Sequence, residues 1–327
     1  MKQEPSQTTT IAEILLKWYD FYGRSLPWRE KSNHYAIWLS EIILQQTRVE
    51  QGLPYWRRFL QELPSVHDLA MAETEVVKGL WSGLGYYRRA DLLHRAARLI
   101  DEQGWPKGYV AWLKIPGVGP YTAAALASIL DAEVRPALDG NAYRVYARLS
   151  NWSQPIDSAL SRQFIHDFSQ NLVSSSRPGD FNQAIMDLAQ SHCLPKNPKC
   201  SECPLIEFCE AGRTGTAASL PIKVRKVRVR EELWHFGVVR KGTYFGLVQR
   251  PIGGIWSGLY TPVPLEEGPT EGGAECIEHR LSHRKLTLCM HLIAESSEVL
   301  VWMTAKEWRD KGMPQAFEHW MTKFMYL

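Results

Sequence analysis

The chain has 327 residues, 45% apolar and 22% charged, close enough to globular averages to exclude a wholly disordered or collagen-like protein and long enough for about two domains. Its 38 basic and 35 acidic side chains leave a net charge of +3, which excludes coating nucleic acid by bulk charge, so any such contact must be local. No apolar run approaches the roughly 18 residues of a membrane span, and the start, MKQEPSQTTT, carries neither an apolar leader core nor an Arg-rich import pattern. Residues 1–10 are expected to be a disordered tail on a cytoplasmic protein with no membrane contact.

From Ile11 the pattern is helical, because Ile11, Ile14, Leu15, Trp18, Tyr19 and Tyr22 recur at the spacing of one helix face. Further helices are predicted at 34–46, 51–61, 73–80, 87–103, 109–113, 121–130, 141–149, 157–172 and 180–190, punctuated by Gly and Pro. The small, polar stretch RTGTAASLP at 213–221 reads as a linker, continued to 230 by a run in which basic residues alternate with valine. Beyond it the period becomes two. Leu233–Arg240 and Thr243–Gln249 form a predicted hairpin around Lys241-Gly242, followed by strands at Leu286–Leu292 and Val299–Trp302. Thr304 and Glu307 then make a capping box, and Pro314 can begin a last helix. An all-α part to about residue 212 therefore precedes a small α+β domain at 231–327.

Four motifs carry chemistry. Cys193, Cys200, Cys203 and Cys209, spaced x6, x2 and x5, can wrap either one tetrahedral zinc or one cubane iron–sulfur cluster; the spacing alone leaves both open, with free buried thiols as a third reading. Lys196, Lys199 and Arg213 give that loop positive charge suited to phosphate, unless it is simply a solvated loop. Gly117 and Gly119, between two apolar helices, let backbone approach a ligand and leave helix-start amides for a DNA phosphate; a plain tight turn is the alternative. Glu41 interrupts the apolar segment Tyr35–Leu44, where desolvation would favour its protonated form and make it a general acid, unless it lies at an edge and reaches solvent or pairs with an arginine. Asp139 stands where it would cap the helix from Asn141, and amide donors keep such a carboxylate ionised. One carboxyl held protonated beside one held charged is the usual division between acid and stabiliser.

The ordered motifs Pro27-Trp28-Arg29, WLSEIILQQT from Trp38, WSGLGYYR from Trp81, IPGVG from Ile115, LDGNAYRV from Leu138 and FNQAIMD from Phe181, all before the cysteines, resemble the MutY-type adenine DNA glycosylases of the helix-hairpin-helix superfamily. The resemblance is strong from Ile11 to Cys209 and looser beyond. It implies an all-α glycosylase domain at 11–212, made of a six-helix module at about 27–130 and a cluster lobe from 11–26 plus 131–212, with a 4Fe-4S cluster on the four cysteines. It further implies a monomer that binds double-stranded DNA carrying adenine opposite 8-oxoguanine or guanine, with no targeting signal away from the nucleoid. Glu41 would be the acid and Asp139 the anion facing the sugar cation, supported by Tyr121 and Asn141. Arg24, Trp28, Arg29 and Asp187 would line the adenine pocket, Gln46 and Tyr86 would wedge into the duplex, and Gly117 and Gly119 would hold phosphate. Tyr121 stands where the related endonuclease III has a lysine that cleaves the backbone, and a tyrosine cannot form that Schiff base, so the expected enzyme is monofunctional.

The same resemblance makes residues 231–327 a Nudix-like lesion-recognition domain, with Ser282 and His283 in the loop that meets the oxidised base. Leu281 replaces a usual phenylalanine and the interval 261–279 is short for the family. The glutamates at 266, 267, 271, 275 and 278 do not form a Nudix hydrolase box and read as a solvated acidic loop, and Cys276 and Cys289 read as ordinary residues. The alternatives are a thymine-mismatch DNA glycosylase, which shares the tyrosine and cysteines but generally lacks the second domain, and a non-catalytic iron–sulfur DNA-binding protein, which the intact Glu41 and Asp139 disfavour.

Overall fold

The computed structural model describes residues 10–29, 33–224, 229–251, 253–269, 273–281 and 283–324. Helices α1 (Ile11–Tyr22), α2 (His34–Ile43), α3 (Val49–Glu62), α4 (Val66–Met71), α5 (Thr74–Trp81), α6 (Arg88–Gln103), α7 (Gly108–Trp112), α8 (Pro120–Leu130), α9 (Gly140–Leu149), α10 (Ala159–Gln170), α11 (Pro178–Ser191) and α12 (Glu210–Arg213) come first. Strands β1 (Arg230–Lys241), β2 (Tyr244–Gln249), β3 (Tyr260–Thr261), β4 (Val263–Leu265), β5 (Glu275–Arg280), β6 (Arg284–Leu292) and β7 (Val301–Thr304) follow, then α13 (Ala305–Asp310) and α14 (Gln315–Phe324). The chain gathers into two compact units, one from Met1–Ile42 and Gly104–Lys226, the other from Ile43–Gln103 and Val227–Leu327.

In the first unit, local chemistry starts the helices where the sequence indicates. Thr10 and Glu13 close a capping box on α1, Pro120 occupies the first turn of α8, and Asp139 caps α9. Helix α11 crosses α8 so closely that a Cβ at Gly179 would lie 2.8 Å from the Ile129 Cα and 2.9 Å from the Ser128 carbonyl oxygen. Asn182 seals the crossing, its amide nitrogen donating to Ser128 Oγ at 3.0 Å and its oxygen accepting from the Ala137 amide at 3.0 Å. Leu15, Val145, Tyr146, Ile165, Phe181, Ile185 and Leu205 form the core, against which Cys193, Cys203 and Cys209 pack. The stretch read as a linker is folded over its first half: Ala217 and Leu220 are buried, and the Ile156 amide donates to the Ile222 carbonyl at 2.8 Å. Residues 225–228 of its basic run, and 1–9 of the expected tail, lie outside the described residues.

The second unit pairs helices α3–α6 with the sheet. Strand order is β3-β2-β1-β6-β5, with β4 on β1 and β7 on β2; β1 and β6 run parallel and the other pairs antiparallel. Phe236, Leu286, Leu288, Met290, Trp308 and Phe317 fill the core between the sheet and helices α13 and α14. Four sequence expectations change in this unit. Helix α2 stops at Ile43 rather than 46, because the chain turns there and Gln46 takes φ 60. Helix α4 was not predicted although Ser65 and Asp68 close a capping box that announces it. The acidic loop is in part a strand: Glu275 and Glu278 lie on β5, and Glu278 pairs with Lys285 of β6 at 2.6 Å. Cys276 and Cys289 are likewise not ordinary thiols; they face each other across β5 and β6 with Cα atoms 4.1 Å apart and form a disulfide. Both partners sit on antiparallel strands joined by a short turn, a proximity that linear spacing does not display.

Candidate active site and cysteine loop

Within the first unit, α2, α8, the N-terminus of α9 and the segment after α1 present the predicted side chains. Around Glu41, the neighbours Ile37, Trp38, Ile42 and Ile43 are buried, as an apolar helix requires. Glu41 keeps partial exposure, yet burial of its carboxyl pushes the pKa from 4.5 up to about 7, with Arg29 pulling the other way. The phenol of Tyr121 is raised well above its ordinary value, first by burial and then by the charges of Glu41 and Asp139, so this ring lies within electrostatic reach of both carboxyls. The structure thereby brings three of the four predicted catalytic residues into one field.

The fourth, Asn141, is tied to Asp139 by hydrogen bonds. One Asp139 oxygen accepts from the Asn141 and Ala142 amides, both at 2.8 Å, and the other accepts from the Asn141 side-chain amide at 2.9 Å. The predicted helix cap is thus present, and it fixes the carboxylate with three donors. The bonds continue along α9. Asn141 Oδ1 accepts from Arg144 at 3.1 Å, and Arg144 donates to the Cys193 carbonyl at 2.8 Å. Arg148, one turn on and 1% exposed, donates to Cys193 Sγ at 3.3 Å and to the Leu194 carbonyl at 2.7 Å. Neither arginine was singled out from sequence; the available signal was a pair four apart on a helix whose apolar residues already mark it as buried.

Asp187, 3% exposed, is held by two arginines. Arg29 donates to it at 2.7 and 3.1 Å, and Arg24 through its backbone amide at 2.9 Å and its Nε at 2.8 Å. Burial alone would raise the Asp187 carboxyl, but these donors outweigh it and hold it below its ordinary value. Arg29 also stands 5.5 Å over the Tyr19 ring, and Trp28 is buried. Gly117 adopts φ 80, the left-handed conformation that favours glycine, and turns the chain into α8. Gly119 caps α8 with no side chain, and a Cβ there would meet nothing within 4 Å. The hairpin thus presents open space at a helix start, the arrangement that suits an anion.

Cys193, Cys200, Cys203 and Cys209 are free thiols, each partly buried. The Cys203 thiol is pushed up to about 12, mainly by burial and further by the other three sulfurs, so the four lie in one another's field. Among the described residues no three His, Cys, Asp or Glu side chains converge to hold a single ion. Four thiols in one another's field, three of them packed on the core of the first unit and Cys200 on Ala211, Ala217 and Leu220, with an arginine donor on one, fit an iron–sulfur group whose ligands are spread over several metal atoms.

The remaining predicted residues belong to the second unit. Gln46 and Tyr86 both adopt left-handed backbone, φ 60 and 49, and the Tyr86 ring is 50% exposed. His283 is exposed in the β5–β6 turn, its carbonyl accepting from the Arg230 amide at 3.0 Å, while Ser282 lies outside the described residues. Arg89, overlooked in the sequence, donates to carbonyls on either side of Leu44 and faces the Tyr86 ring.

Residues 39–188 match the HhH-GPD superfamily of base excision DNA repair proteins, and residues 193–209 match the iron-sulfur binding domain of endonuclease III. An adenine DNA glycosylase of Arabidopsis thaliana is 36% identical over 298 residues, covering 78% of this chain and 47% of that protein. Another, from Buchnera aphidicola of Schizaphis graminum, is 32% identical over 254 residues, covering 76% of this chain and 73% of the relative. The human adenine DNA glycosylase is 39% identical over 221 residues, 64% of this chain and 40% of that protein. The chain therefore spans about half the length of the plant and mammalian relatives and nearly three quarters of the bacterial one. Among solved structures, a thermostable thymine-DNA glycosylase superposes with TM-score 0.57 at 24% identity, covering 62% of this chain and 95% of that one. A non-covalent endonuclease III–DNA complex gives 0.51 at 17%, covering 62% and 94%; at these identities the likeness is one of fold.

Proposed function

From the premise that this chain belongs to the adenine DNA glycosylase family, we propose that it flips adenine mispaired with 8-oxoguanine or guanine out of the duplex and hydrolyses its N-glycosidic bond. The observation that carries the reading is the Glu41 carboxyl, raised to about 7 and sharing the field of Tyr121 with Asp139. At neutral pH about half of such a group is protonated, the condition for an acid that must hold a proton and also give it up. Glu41 delivers that proton to N7 of adenine, which turns the base into a competent leaving group. As the bond to C1′ weakens, positive charge grows on the sugar. Asp139, an anion pinned by the α9 amides and Asn141, stabilises that charge without reorganising, and water completes the hydrolysis.

Arg24, Arg29 and Asp187 form a rigid polar wall that, with Trp28, lines the adenine pocket. Gly117 and Gly119 take a DNA phosphate, and Gln46 and Tyr86 enter the stack beside the mismatch. The four cysteines hold a 4Fe-4S cluster, which supplies a structural anchor for its positively charged loop; no bond of the substrate is made or broken there. The sheet domain is Nudix-like and meets the base opposite adenine through Ser282 and His283. Tyr121 cannot form a Schiff base, so the enzyme is monofunctional. The test is incubation of the protein with duplexes carrying adenine opposite 8-oxoguanine, adenine opposite guanine, and thymine opposite guanine. Free adenine from the first two is expected; release of thymine alone would transfer the assignment to the thymine-mismatch enzymes. Borohydride should trap little covalent complex on abasic DNA.

A further inference from the structure

Gln46 and Tyr86 lie 40 positions apart in the chain, yet one side chain in the second unit reaches both. The Arg89 guanidinium donates to the Ile43 carbonyl at 3.1 Å and to the Gln45 carbonyl, and approaches Thr47 Oγ1 at 3.4 Å. These partners bracket Gln46, in the turn where α2 ends and its last carbonyls have no helical donor. The same guanidinium also approaches two aromatic rings, its Cζ 5.1 Å from the centroid of the fully buried Trp81 and 5.4 Å from that of Tyr86. Both Gln46 and Tyr86 take left-handed backbone that non-glycine residues adopt only under constraint from their surroundings. Their side chains nevertheless point out, since both residues are exposed. A planar fork that hydrogen-bonds on its edge while stacking on its face is a capacity of arginine that lysine lacks.

We propose that Arg89 is a positioning residue that locks the Gln46 turn and the Tyr86 ring to each other, so that the two enter the duplex as one preformed wedge. The proposal rests on the reading above in assigning those residues to the DNA stack. Preorganisation of this kind acts on mismatch recognition and not on phosphate attraction, because the ordering cost is met before binding. Substituting lysine keeps the charge, so a fully paired duplex, held by phosphate contacts, should bind unchanged. The mismatched duplex should bind about tenfold more weakly, the effect of losing charge-assisted hydrogen bonds.

The experiment uses the intact protein with its cluster. Duplexes carry 2′-fluoro-2′-deoxyadenosine opposite 8-oxoguanine, which resists cleavage, with 2-aminopurine as the neighbouring base to report unstacking. Wild type should raise the 2-aminopurine fluorescence; Arg89→Lys should lose that rise and the mismatch preference while keeping its affinity for paired DNA. An unchanged fluorescence rise and preference in Arg89→Lys would overturn the proposal, as would an equal loss for both duplexes, the result of a purely structural role. A second measurement avoids the guanidinium altogether. Gln46→Ala, Tyr86→Ala and the double variant alter exposed side chains; a single coupled wedge predicts that the double variant loses no more mismatch preference than the worse single one, and additive losses would refute it. If wild type shows the rise but releases no adenine from a cleavable duplex, the assignment of the reaction fails and that of Arg89 stands. If wild type shows no rise, the proposed wedge and the role of Arg89 both fall.

Discussion

Glu41→Gln should stabilise the protein while abolishing its chemistry, and the pH dependence of that gain is fixed by the structure. Glutamine has nearly the shape of glutamate but no charge to desolvate. Below pH 4.5 the glutamate is protonated in both folded and unfolded chains, and the substitution changes little. Between 4.5 and about 7 the unfolded chain ionises while the folded one keeps its proton, so wild type loses stability as pH rises. Above about 7 both forms are ionised and the deficit is constant. A displacement from 4.5 to about 7, at ~1.36 kcal/mol per unit, corresponds to roughly 3 kcal/mol, an upper figure because Glu41 is not wholly out of water. For a unit of this size that is a rise in melting temperature of about 6–12 °C at pH 8, shrinking towards zero by pH 5. Paired thermal melts of wild type and Glu41→Gln across pH 5–8 give the difference directly. A gain that does not change with pH, or a variant less stable than wild type at pH 8, would refute the account of a desolvated carboxyl. The same titration predicts that the wild-type rate falls about tenfold for each pH unit above 7.

Three other outcomes follow from named contacts. Asp139→Asn should keep the α9 cap, since asparagine caps nearly as well as aspartate, and melt within about 1 kcal/mol of wild type while single-turnover adenine release is lost. Cys203→Ser should remove the visible iron–sulfur absorbance of the purified protein and leave its loop open to limited proteolysis, as loss of one of four ligands frees the chain on both sides. Gly179→Ala should cost about 1–3 kcal/mol in urea unfolding, because its methyl would press on the backbone of α8 and not on a movable side-chain end.

Those contacts divide clearly between what a linear reading reaches and what it does not. Asp139 was legible as a cap because capping is a relation between neighbours: its partners are the amides two and three positions on. Glu41 stood out because an apolar segment with one carboxylate forecasts desolvation on any helix. The ordered motifs from Trp28 to Asp187 and the four cysteines carried the family. The Arg24 and Arg29 bonds to Asp187 span 163 and 158 positions, and nothing local to either arginine announces such a partner. Arg144 and Arg148 were not singled out in sequence, and packing buries both against the chain at Cys193. Strand β5 was missed because its glutamates suggested solvent, whereas an edge strand keeps alternate residues in water and tolerates them.

By itself, then, the sequence determined most of the elements, the Asp139 cap, the cluster of four cysteines and the pair of carboxyls, all of which depend on residue type and short spacing. The tertiary structure decided which charges meet. It tied the cap of α9 through Arg144 to the Cys193 carbonyl, placed Arg148 on that residue's sulfur, set Arg89 between the Gln46 turn and Tyr86, and joined Cys276 to Cys289. The physical reason is that a hydrogen bond or disulfide is specified by distances of a few ångströms in space, and chain folding makes those independent of separation along the sequence.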